Sequence, residues 1–171
     1  ADMLNSIGVN SVIIGHSERR SIYGETHEDL KAKVKQAIAN NLEVIFCVGE
    51  SLDERNAGQA EATVKAQLVD SLFFLSEAEM SKVVIAYEPV WAIGTGQTAT
   101  PEQAQEIHAF IRELLTETYS ETLADATPIL YGGSVNPGNA KELFGQTDVD
   151  GGLVGGASLK VDSFVALAHS F

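Results

Sequence analysis

Five short apolar runs, separated by longer segments with helical periodicity, constrain the fold more than any other feature. Four of the five are nearly continuously apolar, which is typical of parallel strands buried on both faces. The regular alternation of strand and helix predicts an α/β fold, either an open doubly wound sheet or part of a (β/α)8 barrel. The predicted strands are Val9–Ile14, Glu43–Val48, Lys82–Tyr87, Pro128–Tyr131 and Val149–Val154.

The intervening segments predict amphipathic helices. Leu30, Val34, Ala37 and Ile38 share one helical face, and Thr26 or His27 marks the helix start. Four further helices are predicted. One contains Val64 to Leu75, one begins at a capping box formed by Thr100 and Gln103, one runs from Asn136-Pro137 to Phe144, and the last covers Val161–Phe171. No linker or low-complexity tract interrupts this pattern, so residues 1–171 are predicted to form a single domain.

Composition excludes several classes of function. The 171 residues include 24 acidic and 11 basic side chains, a formal net charge of −13, which disfavours a nucleic-acid partner. No apolar run reaches the roughly 20 residues that span a bilayer, and no signal peptide is apparent, so we expect a cytoplasmic protein without a membrane partner. Cys47 reads as a small buried hydrophobe, and no residue spacing suggests a metal site or a bound cofactor.

Polar and glycine-rich segments follow four of the predicted strands, where the loops of a parallel α/β fold converge on a ligand. Glu88 ends one strand and begins a loop that runs to Gly94-Thr95-Gly96, which suggests a hinged lid, although an ordinary long loop is the alternative. His16 follows another strand and is a candidate acid-base group or a structural histidine. The remaining histidines, His27, His108 and His169, lie in helical segments and are interpreted as solvated.

Two glycine pairs are candidates for holding an anion. Gly155-Gly156 opens a short helix after a strand, where backbone N–H groups could cradle a phosphate, and Gly132-Gly133-Ser134 adds amides and a hydroxyl. Ordinary tight turns are the alternative reading of both. Trp91, within the candidate lid, is either an anchor of that lid or a packing residue.

Together these loops resemble one family, triosephosphate isomerase. The resemblance covers essentially the whole chain and four motifs in the family's order: GHSERR at 15–20, AYEPVWAIGTG at 86–96, YGGSV at 131–135 and GLVGGASL at 152–159. It implies an isomerase of glycolysis and gluconeogenesis that interconverts dihydroxyacetone phosphate and glyceraldehyde 3-phosphate. It also implies a cytoplasmic homodimer built on an eight-stranded barrel.

The same resemblance implies a role for each site residue. Glu88 would be the base, and His16 the electrophile that polarises the carbonyl group. Gly94, Ser134, Gly155 and Gly156 would hold the substrate phosphate under a lid running from Pro89 to Gly96. Ser17 and Glu18 would support the histidine.

The chain matches only the last five βα units of that barrel, which has about 250 residues. The family's first strand, with an asparagine and a lysine that contact substrate, has no counterpart here. We therefore expect two open sheet edges and feeble activity of the chain alone. The alternatives are a non-enzymatic barrel remnant that binds a phosphorylated ligand, and a different phosphate-handling barrel isomerase.

Overall fold

A computed structural model describes residues 1–170, in which five parallel strands form one sheet. The strands are β1 (Ser11–Ile14), β2 (Glu43–Val48), β3 (Val83–Tyr87), β4 (Ile129–Tyr131) and β5 (Gly151–Gly152). They lie side by side in chain order, β1 to β5, without the reversal of order that marks a doubly wound sheet. The α/β prediction is confirmed, and of its two forms the strand order supports part of a (β/α)8 barrel.

Helices occupy the connections between the strands. They are α1 (Asp2–Ser6), α2 (Ser17–Tyr23), α3 (His27–Ala39), α4 (Leu52–Asn56), α5 (Ala60–Ser71), α6 (Glu77–Met80), α7 (Pro101–Thr118), α8 (Glu121–Ala126), α9 (Ala140–Phe144) and α10 (Val161–Ala168). Two 3-10 helices, Val90–Ala92 and Gly156–Leu159, lie within the loops after β3 and β5.

Local capping explains where the two long predicted helices begin. Thr26 caps α3 and Thr100 caps α7, and in each the residue three positions on returns a side-chain hydrogen bond to the cap backbone. Pro101 lies in the first turn of α7, where a backbone N–H has no partner within the helix, so the lack of an N–H in proline costs no hydrogen bond. The predicted starts of both helices are therefore confirmed.

Several predicted boundaries are wrong. β1 begins at Ser11, two residues after the predicted Val9, and α5 ends at Ser71, before the predicted Leu75. α9 begins at Ala140 with Asn139 as its cap, because the side chains of Asn136 and Asn139 form a local turn that accepts the Gly138 and Asn136 N–H groups. The last predicted strand, Val149–Val154, shrinks to Gly151–Gly152 because only these residues pair with β4. The last predicted helix ends at Ala168, and its final residue, Phe171, lies outside the described residues.

The core lies between the sheet and the helices that cover it. Leu30 and Val34 of α3, Leu68 of α5 and Ile111 of α7 are fully buried and belong to one hydrophobic cluster with the strand residues. In the edge strand β1, Ile13 is 51% exposed, whereas the next residue, Ile14, is buried. This packing fixes the strands, and therefore fixes the positions of the loops that follow them.

His108 contradicts its interpretation as a solvated histidine. It is fully buried on α7, and its Nδ1 lies 3.0 Å from the Asp148 carbonyl oxygen. Its ring packs edge-on against Tyr87 at a centroid distance of 5.7 Å and lies near Tyr131. Sequence periodicity places His108 beside the apolar positions Ile107 and Ile111, a signal that the solvated interpretation ignored.

Burial should make the stability of the fold depend on His108 at acidic pH. Desolvation lowers the pKa of His108 to about 4, whereas an unfolded histidine titrates near 6.5. Between these values the unfolded chain binds the extra proton, so stability falls as the pH drops, by about 3 kcal/mol in all. Urea unfolding from pH 7 to 4 should show a shallower loss in His108→Asn, whose amide can still donate to Asp148. Parallel pH profiles for the two proteins would contradict the assignment.

Candidate active site

His16 and Glu88 meet at the carboxyl ends of the strands. Gly15 separates His16 from the end of β1, and Glu88 directly follows β3. The His16 Nε2 lies 3.1 Å from Glu88 Oε1, and Glu88 Oε2 accepts a 2.9 Å hydrogen bond from the Ser17 N–H. Both carboxylate oxygens therefore have protein donors, and two residues far apart in the sequence form one unit.

The hydrogen bonds of His16 define its tautomer. As the cap of α2, its side chain accepts a bond from the Glu18 N–H, with a distance of 3.3 Å to Nδ1. Since Nδ1 is the acceptor, the ring proton of neutral His16 sits on Nε2 and points to Glu88. Ser17 and Glu18 thus support the pair through their backbone N–H groups, while the Glu18 side chain is exposed.

Burial makes Glu88 a stronger base than an ordinary carboxylate. Its side chain is only 3% exposed, and this desolvation raises its pKa. The Ser17 N–H, the electrostatic attraction of His16 and the Cys47 thiol partly offset the rise. The Cys47 thiol is itself fully buried, and burial beside Glu88 raises its pKa as well. Cys47 therefore stays protonated, in line with its interpretation as an inert buried residue.

A cavity of about 440 Å³ brings together most of the predicted site residues. His16 and Glu88 contribute to its wall, and so do all four of the predicted phosphate-binding residues: Gly94, Ser134, Gly155 and Gly156. Ser17 and Glu18 do not line this cavity. The cavity wall contains no lysine or arginine among the described residues.

The loop after β5 supplies backbone donors to this cavity. A 3-10 helix begins at Gly156, as the sequence pattern predicted, although it is only four residues long. Within residues 1–170, no protein acceptor binds the N–H of Gly155 or Gly156. Both groups are therefore free to donate to a ligand.

The candidate lid is joined to the β4 loop in this structure. The Ser134 N–H donates to the Ala92 carbonyl at 3.0 Å, and the Thr95 hydroxyl donates to the Trp91 carbonyl at 2.8 Å. Gly94 and Gly96 have φ values of +69° and +81°, a region that side chains other than glycine rarely adopt. The first part of the candidate lid, around Ala92, is therefore held by a hydrogen bond to the β4 loop. The backbone of its second part depends on Gly94 and Gly96.

Comparison with known proteins identifies the family. The family model for triosephosphate isomerase matches residues 1–171. The chain is 59% identical over its full length to triosephosphate isomerase of Phocaeicola vulgatus and 60% identical to that of Bacteroides fragilis, and it covers 68% of each relative. The Chlorobaculum tepidum enzyme is 55% identical over 98% of this chain. The chain belongs to the triosephosphate isomerase family.

Family membership favours the isomerase reading over a different phosphate-handling barrel enzyme. Among residues 1–170 there is no group of three or more His, Cys, Asp or Glu side chains that could hold a metal ion. No helix in the same range is long and apolar enough to cross a membrane.

The sequence analysis did not identify Glu50, a buried carboxylate that holds the candidate lid. Glu50 is fully buried, and its Oε1 accepts hydrogen bonds from Tyr87 Oη (3.1 Å), Trp91 Nε1 (2.9 Å) and Arg55 (3.0 Å). Its carbonyl oxygen accepts the Val90 N–H. Trp91 thus ties the start of the candidate lid to Glu50, and its side chain also packs against the hydrophobic core. The available signal was position, because Glu50 closely follows β2 much as Glu88 follows β3.

Gly49 explains why the loops after β2 and β3 can lie so close together. A Cβ atom at this position would sit 1.7 Å from the carbonyl oxygen of Glu88, well inside van der Waals contact. The Gly49 N–H and carbonyl are both bound by the side chain of Gln67 from α5. The backbone of Glu88 is therefore positioned against a glycine that a helix holds in place.

Proposed function

We propose that the protein interconverts dihydroxyacetone phosphate and glyceraldehyde 3-phosphate through an enediolate. The observation that carries this proposal is the His16–Glu88 pair at one side of a cavity that also contains the free N–H groups of Gly155 and Gly156. A base, a hydrogen-bond donor and an anion-binding loop are what proton transfer next to a phosphorylated carbonyl requires.

In the forward step, Glu88 accepts the proton from C1 of dihydroxyacetone phosphate. The electrons of that C–H bond form the C1–C2 double bond, and the negative charge moves to the C2 oxygen. His16 stabilises this oxygen through its Nε2–H. A proton returned to C2 from Glu88, with loss of the proton on the C1 hydroxyl and gain of one at the C2 oxygen, gives the aldehyde.

The unliganded contacts indicate what substrate binding must change. His16 Nε2 now donates to Glu88 Oε1, so a substrate carbonyl that takes this donor releases one carboxylate oxygen to act as the base. The raised pKa of Glu88 strengthens that base once it is freed. The closing of the lid over the cavity would then exclude water from the enediolate.

Binding of the phosphate would rest on backbone dipoles and hydroxyls. Gly94, Ser134, Gly155 and Gly156 line the same cavity, and its wall has no lysine or arginine within the part of the chain that the structure describes. Because a cation near the reacting oxygen typically contributes several kcal/mol to stabilising the transition state, we expect slow turnover from the residues present here.

We further propose that the full-length protein is a cytoplasmic homodimer, as the family resemblance implies.

The proposal is tested by substrate selectivity. The protein should convert glyceraldehyde 3-phosphate to dihydroxyacetone phosphate in a coupled assay and leave phosphorylated ribose-type aldoses unchanged. Preference for the ribose-type substrates would contradict it.

The cation-free cavity supports a second candidate, a non-enzymatic protein that binds a phosphorylated ligand. Calorimetric binding of dihydroxyacetone phosphate without any turnover would favour that alternative.

A further inference from the structure

Arg20 bridges the ends of two neighbouring strands behind the His16–Glu88 pair. It lies on α2, and its Nε donates to the Gly15 carbonyl at 2.8 Å while its Nη2 donates to the Cys47 carbonyl at 3.0 Å. These carbonyls come from the ends of β1 and β2, one position beyond the Ile14–Phe46 pair with which their ladder ends. The guanidinium thus links the strands where their own pairing stops.

The backbone at Gly15 is shaped around this guanidinium. Gly15 has a φ of +83°, and a Cβ atom there would lie 3.0 Å from both Arg20 Nη2 and the Cys47 carbonyl oxygen. Glycine is therefore favoured for its conformation and for the close approach of the arginine. Since His16 is the next residue, the bond from Arg20 to Gly15 also restrains the histidine that caps α2.

Arg20 and Glu88 line a second cavity, of about 290 Å³, and Glu88 also lines the cavity of the candidate active site. Burial lowers the pKa of Arg20, and the charges of Glu88 and Glu25 oppose that effect. The guanidinium nevertheless stays protonated, as arginine does in proteins. It therefore places a fixed positive charge near a carboxylate that it does not bind directly.

We propose that Arg20 is a positioning residue for Glu88 and His16. By tying β1 to β2 it holds the His16 side chain and the Ser17 N–H against the Glu88 carboxylate, and its charge favours the ionised form of that carboxylate. The catalytic consequence rests on the proposed function, whereas the effect on the charge of Glu88 does not.

Few other ionisable groups near Glu88 could influence its pKa in the way that the Arg20 charge does. His16 and Cys47 contact the carboxylate directly, and Glu54 of α4 is the other ionisable side chain lining the 290 Å³ cavity. Glu54 and its cap partner Ser51 form a capping box that holds the Glu54 carboxylate to its own helix. Among the described residues, Arg20 is therefore the one basic side chain that lines this cavity together with Glu88.

The inference is tested by titrating Glu88 itself, with ¹³C NMR of the side-chain carboxyl carbon. The resonance is assigned by its disappearance in Glu88→Gln. Loss of the cation in Arg20→Met should raise the apparent pKa of Glu88 by about half a unit or more, because the neighbouring positive charge no longer favours the carboxylate. Arg20→Lys keeps the charge but loses the two-carbonyl bridge, so its Glu88 titration should stay close to that of the unmodified protein.

A kinetic measurement tests the geometric part of the inference. Hydrogen exchange into dihydroxyacetone phosphate should slow about 10-fold or more in both Arg20 variants with little change in KM, because misplacing the reacting groups lowers kcat. If Arg20→Met does not fold, Arg20→Lys alone carries the test, through slower exchange with a nearly unchanged Glu88 titration.

Arg19→Met is the matched control, since it removes the same charge from α2 at a partly exposed residue that pairs with Glu25. It should change neither the Glu88 titration nor the exchange rate. An unshifted Glu88 titration in folded Arg20→Met, or exchange at the unmodified rate in Arg20→Lys, would overturn the inference. A shifted titration in a protein that catalyses no exchange would support the inference on charge and contradict the proposed function.

Discussion

Replacing Glu88 with glutamine should abolish proton transfer and leave phosphate binding nearly intact. The amide retains an oxygen for the Ser17 N–H but cannot accept a proton from carbon, so hydrogen exchange into the substrate should fall by about 10²- to 10⁴-fold. The dissociation constant for inorganic phosphate should change less than about threefold, because Gly155 and Gly156 hold the anion in this account. Exchange is measured by proton NMR and binding by calorimetry.

The control for this variant is Glu61→Gln, which removes one negative charge from the exposed surface of α5. It should exchange at the unmodified rate, which separates the loss of a base from a general change in net charge. Equal loss of exchange and of phosphate binding in Glu88→Gln would mean that Glu88 supports the cavity and is not the base.

Of the Glu50 and Glu106 variants, Glu50→Ala should lose the most stability against unfolding. Its carboxylate is fully buried and is the shared acceptor for Tyr87, Trp91 and Arg55. Truncation therefore leaves the Tyr87 and Trp91 donors without this acceptor and leaves Arg55, among the described residues, paired only with Glu106. Removing one partner of a buried ion pair typically costs about 3–5 kcal/mol, and we expect the lower part of that range because Arg55 is partly exposed. The change is measured as the shift in urea midpoint.

Two further variants separate the parts of this effect. Glu50→Gln keeps a hydrogen-bond acceptor and should lose less stability than Glu50→Ala. Glu106 is the exposed partner of Arg55, and its side chain is 60% accessible. Glu106→Gln should therefore lower the free energy of unfolding by less than about 1 kcal/mol. A Glu50→Ala protein as stable as Glu106→Gln would contradict the role of Glu50 as the anchor of the lid.

The fold could be predicted wherever short-range chemistry decides it. Short apolar runs, four of them nearly continuous, identified all five strands. Thr26 or His27 marked the start of α3, and the capping box at Thr100 marked the start of α7, the two longest helices. The errors arose where a tertiary or competing local contact decides. β5 keeps only the two residues that pair with β4, and the Asn136–Asn139 turn delays α9.

The candidate site was predictable to a similar degree and for a similar reason. A polar residue after a parallel strand is placed at the shared edge of the sheet, so His16 and Glu88 could be grouped without coordinates. Glu50 follows β2 and carried the same positional signal, but its role as a shared acceptor depends on burial that the sequence does not show. Arg20 could not be grouped in that way, because its importance comes from two carbonyl groups that folding brings within reach. His108 was misread because a polar residue next to an apolar face was assumed to reach solvent.

The most direct test of the central claim is hydrogen exchange catalysed by the unmodified protein. Dihydroxyacetone phosphate is incubated with the protein in ²H₂O, and the loss of carbon-bound protium at C1 is followed by proton NMR. The account predicts exchange above the rate in buffer, and predicts that Glu88→Gln removes it. Binding of the substrate with C1 exchanging no faster than in buffer would contradict the assignment of Glu88 and His16 as the groups that carry out proton transfer.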